Sequence, residues 1–189
     1  MTDSEQVAEY IITLLQTMSR ASQGFTYGVG KSVINFTEGK IEVNEGNIFV
    51  VSDYEYLNAL SEKGSVEKRD DPGGTEAYFY AEAVADKMRF GAYISLRDRK
   101  IEWIRLSWLD SSMKGWDDVS EKGVKDEFRL LLNLTENMIG RPPDSKKSRL
   151  RSWHLEWGQL NVSYDLRAFQ ADIYMKPRRW SRQAGRHLV

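Results

Sequence analysis

Between Glu76 and Leu109 the chain alternates apolar and polar residues in three consecutive pieces, EAYFYAEAVADKMRFGAYISLRDRKIEWIRLSWL. A period of two places successive side chains on opposite faces of a strand, so this stretch predicts a three-stranded antiparallel meander. Ala77, Phe79, Ala81 and Ala83, then Phe90, Ala92, Ile94 and Leu96, then Ile104, Leu106 and Trp108 make its inward face. The opposite parity carries Tyr78, Tyr80, Glu82, Arg89, Tyr93, Ser95, Trp103, Arg105 and Ser107. In the third piece the alternation is ambiguous, because Ile101 and Trp103 compete with Ile104 and Leu106 for the core. A second meander is read in SWHLEWGQLNVSYDLRAFQADIYMK, beginning at Ser152, with Trp153, Leu155, Trp157, Leu160, Val162, Tyr164, Phe169, Ala171, Ile173 and Met175 inward.

Helical spacing precedes each meander. Val7, Ile11, Leu14, Leu15 and Met18 predict a helix over 4–20, with Thr2 and Glu5 in capping-box positions. Asp53 caps a short helix through Leu60 that ends near Gly64. After a polar loop over 110–117, Asp118 and Glu121 open a longer helix whose stripe is Val124, Phe128, Leu131, Leu132, Thr135, Met138 and Ile139. Gly140-Arg141-Pro142-Pro143 stops it. KIEVNEGNIFVV, from Lys40, reads as a hairpin, and Ser65 to Thr75 reads as a loop around Asp70-Asp71-Pro72-Gly73-Gly74. The fold class expected is therefore α+β, two antiparallel meanders each partnered by a helix. It forms one domain over 1–175 with sub-halves 1–109 and 110–175, and a basic, flexible tail over 176–189. Helix followed by strands, twice, suggests a distant internal duplication.

Charge changes this picture. The net charge is −1, but residues 1–76 hold 6 basic against 13 acidic side chains, residues 77–140 hold 10 against 11, and residues 141–189 hold 11 against 4. Poles of opposite sign steer charged partners if the fold separates them and neutralise each other if it does not. The chain has no cysteine, which excludes a disulfide framework, a thiolate metal site and a cysteine nucleophile. Its first residues interrupt every apolar run with Glu, Gln or Thr, so neither a signal peptide nor a membrane span is read there, and a cytoplasmic protein is expected.

Little specific chemistry is legible. GVGKS at Gly28 to Ser32 is not a phosphate loop, because that loop needs a glycine where Phe25 stands and a strand before it. The two histidines, His154 and His187, are too few for a histidine-rich metal centre, and no G-x-S-x-G elbow supports a triad. No metal and no cofactor is expected. Three sets of residues stand out. The outward aromatics and arginines of the first meander, Tyr78, Tyr80, Arg89, Tyr93, Trp103 and Arg105, suit contact with a protein partner. The outward polar set of the second, His154, Glu156, Asn161, Ser163, Asp172 and Tyr174, would place an acid–base pair on one strand face or simply present a solvated surface. The basic cluster Lys146, Lys147, Arg149 and Arg151, with Arg178, Arg179, Trp180 and Arg182, suits a phosphate backbone. The reading favoured by the sequence is a macromolecule-binding protein without catalysis of its own, an inhibitor or immunity-type protein being one form. Nucleic-acid binding and an enzyme built on His154 and Glu156 are the alternatives, and the oligomeric state is left open.

Overall fold

In the computed structural model the described residues are 32–70, 77–111 and 120–178. The helix read over 4–20, the GVGKS segment, Asp118, Arg179, Trp180 and Arg182 lie outside them. The strands are β1 (Val33–Asn35), β2 (Lys40–Val43), β3 (Gly46–Phe49), β4 (Glu67–Asp70), β5 (Ala77–Ala85), β6 (Met88–Arg97), β7 (Lys100–Trp108), β8 (Ser145–Lys147), β9 (Leu150–Leu155), β10 (Gly158–Asp165) and β11 (Gln170–Pro177). Two helices are described, α1 (Tyr54–Glu62) and α2 (Glu121–Ile139). All eleven strands belong to one sheet, ordered β3-β2-β1-β5-β6-β7-β11-β10-β9-β8, with β4 paired to β5 beside this path. Every pairing is antiparallel except β1 with β5. The protein is α+β.

Each helix is followed by four antiparallel strands, β4 to β7 after α1 and β8 to β11 after α2, and the two sets meet at their last strands. Ile104, Arg105, Leu106 and Ser107 of β7 pair with Met175, Tyr174, Ile173 and Asp172 of β11. The two meanders are thereby one surface.

The inward parity forms the core. Phe79, Phe90, Ile94, Ile104 and Leu106 are buried with Trp153, Leu160, Val162, Ile173 and Met175, and with Leu57, Leu60, Phe128, Leu131 and Leu134 of the helices. Both described helices therefore cover the same face. The Asp53 carboxylate caps α1 by accepting from the Tyr56 amide at 3.2 Å. Ser120, not Asp118, caps α2, accepting from the Gly123 amide at 3.0 Å. The sheet is curled enough that the β9–β10 turn reaches the β1–β2 turn, where the Trp157 indole N–H donates to the Phe36 carbonyl at 2.9 Å.

One local reading is resolved and two are corrected. A bulge at Ser95/Leu96 shifts the β6–β7 register. Ile101 thereby joins Ile104 in the core, which resolves the ambiguity of the third piece, and Trp103 faces outward with the set in which it was read. Glu67–Asp70, within the expected loop, is a strand. It has no apolar alternation because it flanks β5 as an edge, where charged side chains are favoured; Lys68 stretches from it to the Tyr54 hydroxyl at 2.7 Å. Phe169 and Trp157 lie in turns, not in strands. Phe169 has a positive φ of 49°.

Candidate binding face

Strand register aligns the outward side chains in rows. One row runs Glu67, Tyr80, Tyr93, Arg105, Tyr174, Asn161, Ser152 and Ser145 across β4, β5, β6, β7, β11, β10, β9 and β8. Tyr80, Tyr93 and Arg105 of this row come from the aromatic set read in the sequence, and Tyr174 and Asn161 from the polar set. The structure brings the two candidate faces together as one, opposite the described helices.

Along the row, rings pack against one another and against cations. The Arg69 guanidinium lies 4.0 Å from the Tyr80 ring centroid, Tyr80 and Tyr93 are 5.1 Å apart and inclined at 58°, and Arg105 lies 4.8 Å from Tyr93. Trp103 meets Tyr174 edge-on at 6.1 Å, and Lys176 stands 5.9 Å from the Tyr174 centroid. Such contacts are favourable because the negative ring face attracts a weakly hydrated guanidinium. The Nε atoms of Arg69 and Arg105 are buried without a hydrogen-bond partner. Burial pushes the Tyr80, Tyr93 and Tyr174 phenols above their ordinary range. Tyr78, Tyr80, Tyr93, Trp103 and Arg105 are half-buried, whereas Arg89 is exposed and engaged with Glu82 and Asp110 at 3.3 and 3.4 Å.

The next row is low. Gly91, Ser107, Asp172, Ser163 and Leu150 face outward in register beside the tall aromatic row. A Cβ at Gly91 would lie 3.0 Å from the Tyr80 ring, a contact tight enough that the ring would have to shift. Toward β8 the surface opens into a recess of about 540 Å³, lined by Gln159, Asn161, Ser163, Asp172 and Tyr174 with Lys147 and Lys176 at its rim. Asn161 and Asp172 are 6% and 3% exposed, so they are not part of a solvated face. The Asp172 carboxylate accepts from the Ser107 hydroxyl at 2.6 Å and from the Gln170 amide at 2.9 Å. Burial raises its pKa, against the pull of the Ser107 hydrogen bond and the Arg105 charge. The Asn161 carbonyl oxygen accepts from the Ser152 hydroxyl at 2.7 Å, which leaves its NH2 group as the donor end of the side chain.

His154 and Glu156 are not assembled as a pair. Glu156 falls in the β9–β10 turn, and the His154 imidazole lies 3.5 Å from Asp144, which also accepts from the His154 backbone and from Arg141. The basic cluster is divided as well. Lys146, Lys147 and Arg149 are exposed at the β8–β9 edge, and Arg178 is exposed beyond β11. Arg151 faces inward over Phe128 at 5.6 Å and donates to the Leu150 carbonyl at 3.0 Å. Arg69, Ser152, Gln159 and Gln170 were missed, and Ser107 was read as outward but not as part of a site, because polar residues in a strand show their neighbours only once the strand order is known. Among the described residues no group of three or more acidic or histidine side chains could hold a metal, and no helix is long and apolar enough to cross a membrane.

Fold and face together define an α+β sheet protein with one helix-covered side and one side of stacked aromatic and arginine residues. No protein-family model, no curated protein and no solved structure matches the chain.

Proposed function

We propose that this chain binds a protein partner through the outward face of its sheet, as an inhibitor or immunity-type protein does. The observation that carries the reading is the continuous row Tyr80, Tyr93, Arg105 and Tyr174, half-buried, with Arg69 stacked on Tyr80 and Trp103 against Tyr174, on the side opposite the described helices. Rings and guanidinium groups held rigid by one another lose little side-chain entropy on association, which is why tyrosine, tryptophan and arginine dominate binding hot spots. Nucleobase stacking is the weaker fit. One face of Tyr80 is taken by Arg69 and one face of Tyr93 by Arg105, and Arg69 is tied to Glu67 at 2.6 Å.

Affinity capture from lysate with the purified chain as bait, with and without nuclease, tests this reading. A discrete protein retained in both arms by the wild type, and lost with Trp103→Ala and Arg105→Ala variants that melt as the wild type does, supports it. Capture abolished by nuclease transfers the function to nucleic acid and to Lys146, Lys147 and Arg149.

A further inference from the structure

The recess beside the aromatic row has properties that contact with a protein surface does not need. Its floor is formed by two polar side chains more than nine-tenths buried, Asn161 and Asp172. Asn161 spends its oxygen on Ser152 and offers an NH2 group. Each Asp172 oxygen accepts one hydrogen bond, from Ser107 or Gln170, and a carboxylate has about four acceptor sites in all. Ser163 and Gln159 add a hydroxyl and an amide, so the lining holds both donors and acceptors.

The surroundings narrow the ligand. An aromatic ligand would need a free ring to stack on, but Tyr174 is engaged by Trp103 and Lys176, and Tyr164 packs against Phe128 at 5.0 Å on the other face. A cation would meet Lys147 and Lys176 at the rim and find Asp172 already beside Arg105. A compact polyanion would face the Asp172 and Asp165 carboxylates. What satisfies floor and rim together is a molecule whose hydroxyls both donate to Asp172 and accept from Asn161, with one acidic group reaching a rim lysine. Buried polar groups of this kind discriminate strongly, because a ligand lacking the matching hydroxyl leaves them unpaired.

We propose that the recess lined by Asn161, Ser163, Asp172 and Tyr174 binds a small polyhydroxylated ligand carrying one acidic group, a sugar acid or a polyol phosphate. This site stands whether or not the same face binds a protein. Its test is an NMR titration of the full chain with glucuronate, glycerol phosphate, glucose and inorganic phosphate, following the backbone amides of Asn161, Ser163, Asp172 and Tyr174. Saturable shifts are expected with glucuronate or glycerol phosphate, whichever acid the rim prefers, and weaker ones with glucose. Asn161→Asp keeps the acceptor for Ser152 and removes the NH2 donors, and is expected to weaken binding about tenfold or more. Should that variant fail to fold, the exposed double variant Lys147→Met/Lys176→Met decides instead, by losing the preference for the acidic ligand over glucose. The proposal is overturned if neither acidic ligand shifts these amides saturably. It is overturned equally if inorganic phosphate alone reproduces the shifts while glucuronate and glucose are silent, or if a folded variant binds as the wild type does.

Discussion

Glu127 sits on the buried side of α2, 7% exposed, with the Ser111 hydroxyl donating to its carboxylate at 3.2 Å. Burial raises its pKa from 4.5 to about 7, with the Asp172 charge adding to the shift and the Ser111 hydrogen bond opposing it. A carboxyl held protonated in the fold but ionised in the unfolded chain binds more protons when native, so stability falls as pH rises between these two values. Below 4.5 both states are protonated and no penalty arises; above about 7 the penalty is complete. Glu127→Gln is therefore expected to raise the melting temperature at a pH above about 7 and to leave it nearly unchanged below 4.5. Thermal melts at both ends of that window check it, and a variant that melts lower at the alkaline end would show the charge to be favourable. Glu127 was not singled out by the sequence, since a lone glutamate beside the Val124–Phe128–Leu131 stripe gives no sign of being enclosed.

Among the elements, the β9–β10 hairpin depends on one residue. Gly158 has a φ of 154°, and a Cβ at that position would lie 2.1 Å from the Lys176 carbonyl oxygen and 2.8 Å from the Arg178 amide. These are backbone atoms, so no rotamer change relieves the clash. Gly158→Ala is expected to cost at least about 1–3 kcal/mol through strain and the disturbed β10–β11 pairing. Urea unfolding would show a lower midpoint with an unchanged slope. An unchanged midpoint would mean that the β10–β11 edge gives way without loss. The elements legible in the sequence, β5, β6 and α2, are those with an uninterrupted period, and β7 keeps its alternation from Trp103 onward. β4 escaped notice because Glu-Lys-Arg-Asp is charged throughout and becomes a strand only against β5. The bulge between Ser95 and Leu96 escaped for a related reason, because it is a property of two paired strands and neither carries it alone.

At the level of the whole molecule, β7 and β11 are the seam between the two helix-plus-four-strand units. Leu106 and Ile173, paired across it, are both fully buried. Each unit alone would expose a long strand edge and half of a core, so the seam is expected to make unfolding of the described residues a single cooperative step. Ile173→Ala should cost about 2–5 kcal/mol, shifting tryptophan fluorescence and far-ultraviolet circular dichroism together. Separate transitions by the two probes would show that the units unfold independently.

The sequence by itself determined the longer strands, which way most of their side chains turn and where α1 and α2 lie, since alternation, helical spacing and caps are local. It named Tyr80, Tyr93, Arg105, Asn161 and Tyr174 as outward, yet assigned them to two separate faces. Only the tertiary structure decided that these residues form one row, that Arg69 stacks on Tyr80, and that Asn161 and Asp172 are enclosed instead of solvated. The physical reason is that a period of two fixes a side chain's direction relative to its own strand. Its neighbours, its burial and the recess it lines depend on which strands pair, and the β7–β11 pairing joins residues about seventy positions apart through core packing that no local pattern records.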